Sequence, residues 1–216
     1  TVPLATGLLV SLRWPPTARA RRWANYAGLA VSSAYLLLTV ATKQYINHVF
    51  TQNLAQKQPA AERILTTPTP FNNLLWQGIA ETDEGFYVGN YSLLDPDPSI
   101  AFRYVPKRHD LLGDAADSPI VKRLRRFSRG YFTVRRGPDN ALRIHDLRFG
   151  RNDIGLTSQG QYIFTFRLIE GPDGRVVGLR QEEPSIRLDA PLLRRFGARI
   201  RGHTAVDTVS VDAISQ

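Results

Sequence analysis

Two His-Asp dipeptides, His109-Asp110 and His145-Asp146, are the residues in this chain whose types and spacing could do chemistry. A carboxylate beside an imidazole can orient it for proton transfer, or the two can share a divalent metal. His145-Asp146 lies in an alternating stretch that reads as a strand, where neighbours point to opposite faces, so its two members cannot serve one pocket and read as structural. His109-Asp110 falls in the loop segment RYVPKRHDLLGD, where the backbone is freer, and is the candidate polar site. Its competing reading has Asp110 capping a short turn and His109 merely exposed. His48 and His203 are isolated. The sequence holds no G-x-G-x-x-G, phosphate-binding loop, G-x-S-x-G or H-E-x-x-H. It also has no cysteine among 216 residues, which excludes thiol nucleophiles, disulfides and cysteine-ligated zinc.

The formal net charge of +9 permits contact with anionic lipid, nucleic acid or an acidic substrate. The run VKRLRRFSRG sets five basic residues around an apolar stripe and could meet phosphate. A solvated helix face explains it more simply, and with no recognition-module signature, no nucleic acid is expected as a partner.

These residues must be positioned by two very different parts of the chain. From Trp23 to Thr42 no residue is charged, and a helix of that length spans about 30 Å, the thickness of a bilayer core. Residues 23–42 are therefore expected to cross a membrane, with lipid as a partner and Trp14, Trp23 and Tyr26 at headgroup level. Residues 1–12 look like the end of an earlier span. Residues 13–22, with Arg13, Arg19, Arg21 and Arg22, form a basic loop that the positive-inside tendency puts in the cytoplasm. Everything after Lys43 is then extracytoplasmic. Residues 43–58 have helical spacing and continue the span into water or bend along its surface. Because the chain begins at Thr1 in an apolar run and has no methionine, it is read as a C-terminal fragment.

Over 59–182 the dominant period becomes two. Hairpins are expected around Thr82 to Gly85, GPDN and GPDG, with SIAFRYVP as a further strand. Between them SPIVKRLRRFSRG reads as a helix, with Ser118 as N-cap, Pro119 in the first turn and Gly130 as the stop. The expected fold class is α+β: an N-terminal transmembrane helix or helices, then a mostly antiparallel sheet domain with one or two packed helices. Residues 183–216 read as an irregular basic tail in which LDAPLLRRFGARIRGH could form a short amphipathic helix.

The segment TTPTPFNNLLW joins the two parts. Pro68 and Pro70 should hold it extended, Phe71 and Trp76 should anchor it to the sheet, and the Asn72 and Asn73 amides should satisfy turn backbone. Together with GIAETDEGFYVGNYSLLD, KRHDLLGD, FSRGYFTV and HDLRFG, it resembles the C-terminal part of bacterial inner-membrane metal-dependent hydrolases, the YdjM-like group, over about residues 1 to 190. The resemblance implies a multi-span inner-membrane protein with a divalent metal that lowers the pKa of a bound water. Its metal-binding motifs would lie in an N-terminal membrane part that nothing in this chain matches, so no cofactor is evident here and no catalytic residue carries over. The substrate, small molecule or lipid, stays open. The alternative is a non-catalytic extracytoplasmic binding or assembly module anchored by one helix.

Overall fold

The computed structural model describes residues 5, 6, 9, 19–57, 61–153, 160–172, 174–184 and 189–204. The chain divides into two units, Thr1–His48 and Val49–Gln216. One helix, α1 (Arg19–Lys57), is long and apolar enough to cross a membrane. It is a single helix through residues 42 and 43, and Arg19, Arg21 and Arg22 belong to it, so the expected basic loop does not reach residue 22. Residues 1–4, 7, 8 and 10–18 of the two expected N-terminal segments, and Pro59 as a helix stop, lie outside the described residues. Tyr26, Leu29, Val31, Leu36, Leu37 and Leu38 on this helix are exposed.

The second unit is α+β. Strands β1 (Arg63–Pro68), β2 (Leu75–Glu81), β3 (Gly85–Ser92) and β4 (Phe102–Pro106) form one antiparallel sheet in chain order. Strands β5 (Phe132–Arg136), β6 (Leu142–Arg151), β7 (Tyr162–Glu170) and β8 (Val176–Glu182) form a second. The link between the sheets is a 3-10 segment, His109–Asp117, kinked at Gly113, followed by α2 (Pro119–Phe127). Ser118 caps α2 by accepting the Val121 amide at 3.2 Å, and Gly130 follows its end at a φ of 85°, as the sequence predicts.

Two cores hold the unit. Val121 and Leu124 of α2 join Phe132, Val134, Ile144 and Leu168 of the second sheet. Ile79, Phe86 and Val105 of the first sheet meet Tyr131, Leu147 and Tyr162 of the second, so the two sheets share apolar surface. The last turns of α1 also belong here: Phe50 lies edge-on to Phe102 and over Gly78, where an added Cβ would come within 2.1 Å of its ring. Asn53 then bonds the Pro98 carbonyl at 2.6 Å and the Ile100 amide at 2.9 Å.

Two expectations need correction. TTPTPFNNLLW is the turn of a hairpin, because Arg63–Pro68 is a strand paired with β2, Pro68 opposite Trp76. A proline is tolerated there because β1 is an edge strand, where its missing N–H removes no ladder bond. The C-terminal residues are not all irregular: α3 (Ala190–Ile200) starts at Asp189, whose side chain accepts the Leu192 amide at 2.8 Å.

Candidate ligand-binding site

The expected polar site does not assemble. His109 Nε2 donates to the Phe132 carbonyl at 2.9 Å while its ring stacks on Phe132 with centroids 4.0 Å apart, so it is a half-buried structural group rather than an exposed one. Burial holds its pKa below the ordinary histidine value, against the opposing pull of that carbonyl bond. Asp110 is exposed in the first turn of the 3-10 segment, and the cap position belongs to Arg108, which gives no side-chain bond. Among the described residues no three His, Asp or Glu side chains converge to hold an ion.

His145 and Asp146 do separate to opposite faces. His145 Nδ1 lies 2.9 Å from Thr165 Oγ1, and burial, with Arg135 adding to it, depresses the ring's pKa to about 4. Asp146 is buried and receives Nη2 of Arg148 at 2.7 Å.

The chemistry gathers instead around a cavity of about 870 Å³. One wall is β1, through Arg63, Leu65 and Thr67, continued by the turn residues Thr69, Pro70 and Phe71. Asn72 shapes that turn: its Oδ1 accepts the Leu74 and Leu75 amides at 3.0 and 2.8 Å, and its Nδ2 donates to Thr69 Oγ1 at 2.8 Å. The Asn73 carbonyl accepts Trp76 Nε1 at 3.0 Å, and Trp76 is buried in the sheet as expected. Phe71 is not an anchor: it sits at a φ of 63° with its ring fully exposed at the cavity mouth. Exposing a phenylalanine in left-handed backbone gains nothing for folding.

A second wall is made by a bulge in β6. Asp146 pairs with Phe164 but Arg151 pairs with Tyr162, so five steps on β6 match two on β7. The surplus residues turn through Gly150, at a φ of 70°, and present Arg148, Phe149 and Arg151 to the cavity. Arg148 is held by Asp146 and lies over the Phe127 and Phe149 rings at 5.3 and 5.2 Å. Buried Arg151 donates from Nε to the Gly160 carbonyl at 2.8 Å and sits 3.5 Å from Asp153. A third wall is α3, through Leu192, Leu193 and Phe196. Tyr131 closes the floor beside Arg129, which is left-handed with a φ of 53°.

The lining is mostly apolar and aromatic, with four guanidinium groups, Arg63, Arg129, Arg148 and Arg151, and no carboxylate among the described residues. Sequence reading misses this site because its walls come from residues 63–71, 129–131, 148–152 and 192–196, which no local spacing connects. FSRG and HDLRFG carry Arg129, Arg148 and Phe149 but signal only a resemblance when read alone.

Compared with protein-family models, curated proteins and solved structures, the chain matches none.

Proposed function

We propose that this chain is a membrane-anchored binding domain that takes a ligand with an extended apolar body into the cavity between β1, the β6 bulge and α3. The observation that carries this reading is the cavity: about 870 Å³, walled by Leu65, Phe71, Tyr131, Phe149, Leu192 and Phe196. That size is within the usual range for small-molecule sites, which are predominantly apolar with a few polar groups to orient the ligand. Residues Trp23 to Thr42 of α1 supply the anchor. The arginines before that stretch favour an orientation with the binding domain outside the cytoplasm, and the motif resemblance favours a bacterial inner membrane. Lipids or lipid-like small molecules are the ligands at hand there. The metal-dependent hydrolase reading rests on motif resemblance and receives no metal-ligand set from the described residues.

The test is uptake of a pyrene-labelled single-chain amphiphile by the full chain in nanodiscs, followed by fluorescence. Wild type should take up the probe saturably. Phe71→Ser should bind about tenfold more weakly, the order expected for removing one phenylalanine from an apolar contact. No saturable uptake would overturn the proposal. Spheroplast proteolysis tests the orientation: cleavage of the binding domain only after lysis would place it in the cytoplasm.

A further inference from the structure

Resting on that binding reading, we infer that the ligand's head is anionic, a carboxylate or phosphate on a single apolar chain, and that Arg129 holds it. Charge complementarity supplies the argument. Three of the four cavity arginines have an acidic neighbour: Glu81 for Arg63, Asp146 for Arg148 and Asp153 for Arg151. Arg129 makes no ion pair among the described residues. Its backbone is engaged: its amide donates to the Arg126 carbonyl at 3.2 Å, and its own carbonyl accepts Nη1 of Arg63 at 3.3 Å. Among the described residues, the cavity thus has one more cation than its local carboxylates balance.

The backbone at Arg129 supports the same assignment. The helix could end on Gly130 alone, yet Arg129 also adopts a left-handed φ, a conformation that an arginine occupies only at a cost. Arg129 is exposed and lines the same cavity as Tyr131 and the exposed Phe71. A planar fork of donors beside an apolar chamber matches an amphiphile whose head carries two equivalent anionic oxygens. A neutral head leaves that charge without a partner.

The experiment uses the full chain in nanodiscs of zwitterionic lipid and a tail-matched series: palmitate, lysophosphatidic acid, lysophosphatidylcholine and monoacylglycerol. Each competes against the pyrene probe. The two anions should bind about tenfold or more tightly than neutral monoacylglycerol, the order of one charge-assisted bidentate contact, with lysophosphatidylcholine, whose phosphodiester is offset by its own ammonium, in between. Arg129→Gln should weaken the two anions toward the monoacylglycerol level and so erase that preference, and Arg129→Lys should keep part of it. Equal affinity across the series would overturn the anionic head while leaving the binding reading intact. A preference that survives in Arg129→Gln would overturn the assignment to Arg129. Absence of binding by every member would overturn the binding reading itself.

Discussion

Arg199 of α3 and Asp95, just beyond β3, form a fully buried two-pronged ion pair, with Nη1 to Oδ1 at 2.6 Å and Nη2 to Oδ2 at 3.0 Å. Arg199 Nη2 also donates to the Asn90 carbonyl at 3.0 Å, and Ser92 Oγ donates to the Ile200 carbonyl at 2.5 Å. These bonds tie the helix that carries Leu192, Leu193 and Phe196 to the first sheet. Breaking one partner of such a pair leaves a buried charge unmatched. Arg199→Met is expected to lose about 3–5 kcal/mol of stability in urea unfolding followed by Trp76 fluorescence. Arg199→Met combined with Asp95→Asn should recover much of that loss, because the neutral amide keeps an acceptor for the Ser92 amide, which now donates to Asp95 at 2.9 Å. Equal stability of the single variant and wild type would remove the pair as the fastening of α3.

Gly78 makes a second close fit. A Cβ there would lie 2.1 Å from Cε1 of Phe50, so β2 accepts the end of α1 only because this position has no side chain. Gly78→Ala should cost roughly 1–3 kcal/mol by overpacking. Adding Phe50→Leu should return part of the loss, since the smaller side chain clears the space. Non-additivity in a double-mutant cycle checks the contact.

Local rules make the hairpins readable. Period-two alternation around Asp-Glu-Gly, GPDN and GPDG specifies β2 to β3, β5 to β6 and β7 to β8. Ser118 and Pro119 likewise specify the start of α2. The proline in RILTTP hides β1, since a strand that tolerates it must be at an edge and edge position is a property of the whole sheet. Phe71 reads as core because aromatic residues favour burial, and only the left-handed turn backbone turns it outward. Arg199 reads as one more charge of a basic tail until Asp95 is seen beside it.

His145 makes stability depend on pH. Its folded-state pKa is about 4, depressed chiefly by burial, while an unfolded histidine titrates near 6.5. The unfolded chain therefore binds the extra proton between those values, and stability falls as pH drops through that window. The difference corresponds to about 3 kcal/mol between neutral pH and pH 4. His145→Gln should flatten that part of the profile in urea unfolding of the full chain in detergent, measured from pH 7 to 4. A wild-type profile no steeper than that of the variant would show that the ring is not kept neutral by its burial.

The anchor assignment is tested where the helix is most exposed. Leu37 lies well inside the uncharged stretch and is 72% exposed, a position with no reason to be apolar in water. Leu37→Arg places a charge near the bilayer centre, which costs about 2.5–3.5 kcal/mol on insertion scales. The variant should shift measurably from the carbonate-resistant membrane fraction to the soluble fraction. Leu37→Ala should stay with the membrane. The second unit contributes no charge change in either variant, so its own lipid affinity is constant across the comparison. If Leu37→Arg and Leu37→Ala fractionate identically, α1 is not held in lipid at this position.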